Sequence, residues 1–433
     1  MRLFKYSRRD FLLICLGLFS LLLDIVLDIY AVVSFYQERD YASLGILLLL
    51  LLGSSVLGQA FSWLWYSYDE SERKTEVEKC VTERQLKLLH VLQLGTYFRH
   101  ADLVKVYLFS SKVTDPVLTA VYMSHDLSML RLIETFSESA PQVVLMLAII
   151  LQRGELGAVT VLKALGSAST MAFGVTMYHR SLRSFLPEKK QQQMSSSVVY
   201  FLWNLLLISS RLTALALFAS ALPCFIFAHF LSSWVVLCFF AWRSKTDLMD
   251  SPGGERLYRA TVGLIWYFNW FNVAEGRTKY RTLLYHGYML VDISLLCGLW
   301  GWQMITEPYS EVVGIVCVVV AYILGLFLKM LYYKCYHPNM AKGELIGDSI
   351  ETTMSADVPD FLMFLASIET TRSGDETDSP VHLSFIKTTL SGDETDSPVH
   401  QGHLMDRSGP SEPAPVTKGC NKRMRKLAEN FYS

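Results

Sequence analysis

The sequence predicts an all-α membrane protein in which eight transmembrane helices and two re-entrant segments form two parallel repeats, with cytosolic N- and C-termini. Three observations predict it. Of 433 residues, 52% are hydrophobic and only 18% are charged, against roughly 25% charged in an ordinary soluble chain. Apolar runs long enough to cross a bilayer core, about 20 residues each, recur through most of the chain. Basic residues gather in only some of the intervening loops, and by the positive-inside rule those loops are cytosolic.

Apolar segments fall at about 10–33, 42–67, 86–110, 126–152, 155–178, 198–220, 224–242, 258–274, 282–304 and 311–334. Arg2, Lys5, Arg8 and Arg9 place residues 1–9 in the cytosol. The opening run is too long for a signal peptide and lacks a small-residue cleavage site, so it reads as a retained first helix. The turn SFYQERDY has no basic excess and reads as outside. Arg73, Lys74, Lys79 and Arg84 then mark a cytosolic loop, as does YHRSLRSFLPEKK at 178–190. Three apolar segments lie between these two loops, and three crossings cannot return a chain to its starting side. The segment at about 86–110 carries His, Arg, Asp and Lys, which lipid-exposed helices exclude, and is the one expected to be re-entrant.

The second half repeats the plan. RSKTDLMDSPGGERLYR (243–259) and EGRTKYR (275–281) are both basic, so the short apolar segment between them, about 258–274, should also enter and leave on the cytosolic side. The expected organisation is a first membrane repeat over 10–178, a cytosolic linker over 179–197, a second membrane repeat over 198–337 and a cytosolic regulatory tail over 338–433. Parallel repeats of this kind occur in transport folds. The tail is rich in Ser, Thr, Asp, Glu, Pro and Gly and ends in KGCNKRMRKLAENFYS, a basic stretch with apolar residues near helical spacing.

Ionisable side chains lie where lipid should be, at a cost of several kcal/mol each unless they face protein or water. Asp24 and Asp28 are four apart and share one helix face. Asp126, Arg131, Glu134 and Glu138 precede Pro141, which should bend its helix. Arg211, His229 and Asp292 lie inside later segments. Taken singly, Arg131 and Arg211 read equally well as braces within the bundle, and His229 as a packing residue. Taken together, acids outnumber bases at several depths, which suits a graded polar path for something charged.

Other classes find little support. The net charge of −1 suggests no nucleic-acid partner. The eight cysteines form no CxxC pair and have no His companion at ligand spacing, so they read as buried hydrophobes and suggest no metal. GxSxG, Walker A, HExxH and EF-hand motifs do not occur, so no cofactor or enzyme chemistry is expected. Without an ATP-binding motif, any solute movement should be passive.

DLSMLRLIETFSESAPQVVLMLAIILQ (126–152), SSVVYFLWNLLLISSR (196–211), WFNVAEGRTK (270–279) and LLLDIVLDIY (21–30) resemble the XK-related family through essentially the whole membrane region. CNKRMRKLAENF (420–431) is similar to that family's C-terminal amphipathic segment. The resemblance implies a plasma-membrane phospholipid scramblase that exposes phosphatidylserine in apoptosis after a caspase removes an inhibitory tail. It also implies a single-span immunoglobulin-type glycoprotein partner of the basigin or neuroplastin kind. On matching positions, the lipid path would use Asp24, Asp28, Glu134, Glu138, Arg211 and Asp292. Where relatives can carry Asp before Tyr-His-Arg, this chain has Met177. The alternatives are an ion channel or solute transporter, and a non-transporting membrane partner.

The tail holds one acidic peptide twice, SGDETDSPVH, starting at Ser373 and Ser391 and so recurring every 18 residues. Executioner caspases cut after Asp in D-E-x-D before a small residue, a pattern met at Asp378 and Asp396. An extended acidic peptide can enter such a protease groove with its carboxylates open to Arg recognition. DVPD at 357–360 fits less well, because Phe361 follows it. Ser379 and Ser397 each stand between Asp and Pro, where proline-directed phosphorylation would add a dianion beside the scissile bond.

Overall fold

A computed structural model describes residues 8–68, 81–108, 116–154, 158–185, 192–244, 246–273, 279–303 and 308–336. The tail, with Asp378, Ser379, Asp396 and Ser397, lies outside the described residues. Among the described residues every regular element is helical. The helices are α1 (Arg8–Gln37), α2 (Tyr41–Tyr68), α3 (Glu83–Val91), α4 (Gly95–Leu108), α5 (Pro116–Glu134) and α6 (Ala140–Arg153). They continue with α7 (Ala158–Phe185), α8 (Met194–Ala221), α9 (Phe225–Arg243), α10 (Pro252–Phe268), α11 (Lys279–Gln303) and α12 (Pro308–Leu331).

Among the described residues, seven of the eight expected crossings appear as helical stretches long and apolar enough to cross a membrane: Cys15–Gln37, Tyr41–Tyr68, Met123–Arg153, Met194–Ala221, Phe225–Arg243, Tyr280–Gln303 and Gly314–Tyr336. The remaining expected segment, about 155–178, falls on α7, a 28-residue helix whose first residues are not among those described in full. The segment expected at about 86–110 forms two short helices, α3 of 9 residues and α4 of 14. The turn between them places Gln93 at φ 63°, a left-handed conformation that reverses the chain. Its partner segment, α10, has 17 residues, about 25 Å at 1.5 Å per residue. That helix stops at Asn269, whose extended backbone (φ −152°, ψ 152°) ends the turn.

Pro141 acts just upstream of itself. Its ring denies residue 137 a helical partner and crowds that carbonyl, and a π-helical turn over Thr135–Ser139 absorbs the extra residue between α5 and α6. Ser137 Oγ then donates to the Ile133 carbonyl at 2.8 Å. A second π-turn, Tyr332–Tyr336, ends α12.

At the centre stands α8, which packs against α6, α7, α11 and α12. Buried residues make up 67% of its most apolar stretch, against 6% for α1 at the periphery. Its Ala and Ser positions let neighbours approach closely: a Cβ on Gly325 of α12 would lie 2.8 Å from Leu207 Cδ2. Ser210 Oγ donates to the Val318 carbonyl across the same contact at 2.8 Å. The two halves also meet at Tyr68, whose hydroxyl is 2.6 Å from Ser251 Oγ at the N-cap of α10.

Candidate functional site

The six path residues expected from the sequence fall into two groups. Asp24 and Asp28 on α1 face the junction of α5 and α6. Arg131 is paired with Asp24, and its Nη1 lies 3.1 Å from Glu134 Oε2. Asp28 lies against Gln142 and Glu138, and Glu138 against Ser54 of α2. Arg131 thus touches two acids, Asp24 and Glu134, with Asp28 and Glu138 paired beside them. The group is not sealed, since the side chains of Arg131, Asp24 and Glu134 are 17%, 20% and 33% exposed. The π-turn sets its shape, holding Glu138 inward while Ser137 Oγ lies 2.8 Å from Ser54 Oγ. Tyr97 and His100 of α4 come within electrostatic reach of Glu134 and Arg131.

The second group is closed. Arg211 on α8 is 1% exposed; its Nη1 donates to Asp292 Oδ2 at 2.5 Å and its Nε to the Tyr267 carbonyl at 3.0 Å. His229 Nε2 is 3.1 Å from Asp292 Oδ1, and its Nδ1 is 2.9 Å from the Tyr267 hydroxyl. The guanidinium also sits 5.0 Å from the Tyr267 ring centroid, the range of a cation–π contact. Asp292 therefore holds α8 and α9 to α11, the bracing role that the sequence left open for Arg211. Among the described residues no hydrogen bond or ion pair links the two groups. Phe136 and Phe268, stacked at 6.2 Å and nearly fully buried, come from the π-turn of the first group and the α10 end of the second.

Two further polar clusters carry residues that the sequence reading left unassigned. Arg99 of α4 donates through Nε to Ser62 Oγ at 2.9 Å, through Nη2 to the Ser62 carbonyl at 3.0 Å and through Nη1 to Asp126 Oδ2 at 3.1 Å. His90 of α3 completes this cluster, with Nε2 2.9 Å from Ser62 Oγ. Arg99 is thus turned toward α2 and α5, and His90 toward α2. The other cluster joins α11 and α12: Lys329 Nζ is 2.7 Å from His286 Nε2, and His286 Nδ1 is 2.9 Å from the Tyr322 hydroxyl. Lys329 lies in the apolar run LFLKML. In the fold it is 8% exposed, 4.8 Å from the Trp203 ring centroid. Only the pairing of His286 and Tyr322 on facing helices explains that, and no spacing within one segment signals it. Among the described residues no cluster of three or more His, Cys, Asp or Glu is placed to hold a metal ion.

The model of the family described as XK-related protein matches residues 12–338. XK-related protein 8 of Tetraodon nigroviridis is 43% identical over 348 residues, 78% of this chain and 86% of the fish protein. XK-related protein 8 of Gasterosteus aculeatus is 42% identical over 351 residues, 78% and 86% of the two chains. XK-related protein 8 of Pan troglodytes is 38% identical over 339 residues, 76% and 85% of the two chains. A family match over most of the chain, with relatives of this similarity, establishes that the protein belongs to the XK-related family.

Proposed function

We propose that this chain is an ATP-independent phospholipid scramblase of the plasma membrane, which exposes phosphatidylserine in apoptosis once an executioner caspase removes its C-terminal tail. The observation that carries the reading is the half-open group beside peripheral α1, in which Arg131 pairs with Asp24 and Glu134 while Asp28 and Glu138 lie next to them. A headgroup carries a phosphate and often an ammonium, so it needs alternating partners of both signs. Asp24, Asp28, Glu134 and Glu138 meet the ammonium and Arg131 meets the phosphate, while the acyl chains stay in lipid. Lipid can reach this group from the side because α1 is mostly exposed.

In this reading the eight crossings and two re-entrant segments put both termini in the cytosol, and the basic end of the tail holds the bundle shut until Asp378 or Asp396 is cut. Arg211 and Asp292 form the inner brace that yields as the path opens. A single-span glycoprotein of the basigin or neuroplastin kind escorts the chain. The test uses purified, tail-cleaved protein in ATP-free liposomes carrying labelled lipids. Exchange of label between leaflets is expected, along with its loss in Asp24→Asn/Glu138→Gln. Ion conductance without lipid movement would support a channel instead; neither activity would support a non-transporting partner.

A further inference from the structure

A small cavity lies where α8, α10, α11 and α12 meet, bounded by Arg211, Asn269, Tyr285, His286 and Tyr322 with apolar neighbours. We propose that it is a binding site for one water molecule, which joins Arg211 to the His286–Lys329 pair and so ties α12 to the central helix.

Three observations lead there. Arg211 is 1% exposed and bounds the cavity, and its Nη2 has no hydrogen-bond partner among the described residues. A buried guanidinium nitrogen without a partner is costly. The cavity measures about 10 Å³, at the lower limit for one water and far too small for a phosphate or a lipid headgroup. The third observation is the direction of the hydrogen bonds. The Lys329 amine carries N–H hydrogens in either charge state, and it donates to His286 Nε2 at 2.7 Å. His286 Nδ1 must then carry the proton and donate to the Tyr322 oxygen at 2.9 Å. That leaves the Tyr322 O–H free to donate onward. Asn269 spends its Nδ2 on Asn204 Oδ1 at 3.0 Å, leaving its own oxygen to accept. A water here accepts from Arg211 Nη2 and Tyr322 and donates to Asn269, giving the three partners that buried waters typically find.

If the chain moves lipid as proposed above, this point passes a water but no headgroup, so opening requires α12 or α11 to leave α8. The water itself does not depend on that activity.

Cryo-electron microscopy of the full chain in lipid nanodiscs, at a resolution that shows ordered solvent, should reveal one peak within hydrogen-bond distance of Arg211 Nη2 and Tyr322 Oη. A dry cavity, or a peak too large for water, overturns the assignment. Thermal midpoints give a second check. Arg211→Lys and Tyr322→Phe share the water, so their losses should be less than additive, and strict additivity counts against it. If Arg211→Lys does not fold, Asn269→Ala takes its place in the same cycle.

Discussion

Arg211 and Asp292 meet at 2.5 Å across α8 and α11, with the arginine 1% and the aspartate 13% exposed at the side chain. Arg131 and Asp24 make a like pair that stays more exposed, at 17% and 20%. The difference in burial divides their roles, since a charge pair sealed from solvent holds helices together while one at a surface can exchange its partner for a ligand.

Asp292→Asn should therefore destabilise the bundle by about 3–5 kcal/mol, the usual result of stranding one buried charge. His229 loses a partner in the same change. Arg211→Gln combined with Asp292→Asn should recover much of the loss, because no lone charge remains. Thermal unfolding in detergent measures both, and a double variant no more stable than Asp292→Asn would contradict the brace.

Much of this architecture was legible in the sequence, for physical reasons. Apolar runs near 20 residues and clustered bases announced a helical membrane protein. The polar content of 86–110 announced a segment unfit for lipid, and it folds as α3 and α4 with Arg99 and His90 turned onto Ser62. Pro141 signalled a bend, and a π-turn over Thr135–Ser139 lies just upstream of it. Pairing was not legible. That Asp24 would meet Arg131, or Lys329 would meet His286, depends on how the helices pack against one another, and the two residues of each pair lie on different helices, 107 and 43 positions apart.

Gly95 opens α4 against the His90 ring. A Cβ there would lie 2.4 Å from His90 Cδ2 and 2.6 Å from Gln59 Oε1. Neither neighbour is free to swing away, because His90 is held by Ser62 and by the Leu86 carbonyl, and Gln59 by Gln93 and Thr96. Gly95→Ala should cost about 1–3 kcal/mol by overpacking and lift the α3–α4 hairpin from α2. Amide hydrogen exchange over residues 83–108 should accelerate; unchanged exchange would show that the hairpin tolerates the methyl group.

The duplicated DETD peptide gives the proposed switch a spare. If either site suffices, Asp378→Ala or Asp396→Ala alone should leave phosphatidylserine exposure in dying cells nearly intact, and the double variant should abolish it. Annexin binding together with immunoblotting of the tail follows both events. Exposure that persists in the double variant would defeat caspase control through these sites.

Phosphate on Ser379 or Ser397 sets a dianion directly after the scissile bond. Synthetic peptides spanning 373–400, plain and phosphorylated at both serines, should differ in caspase cleavage rate by tenfold or more, about 1.4 kcal/mol in barrier. Equal rates would remove phosphorylation as a brake.

The turn after α1 supplies a pH-dependent clamp. Arg153 Nη1 donates to Glu38 Oε2 at 2.6 Å, and Ser34 Oγ donates to Oε1 at 3.1 Å. The hydrogen bond from Arg153, more than any other influence, holds the Glu38 carboxyl below its ordinary value of 4.5. A carboxyl whose value falls on folding stabilises the fold fully above its unfolded value, and that contribution fades as pH drops through the folded one. Both side chains are about two-fifths exposed, 42% and 41%, so solvent limits the clamp to at most about 1 kcal/mol. The unaltered chain should therefore exceed Arg153→Ala in thermal midpoint at every pH above about 4.5, and the gap should close in stronger acid. A gap that stays constant down to pH of about 3 would mean that Arg153 acts through packing and not through its ion pair.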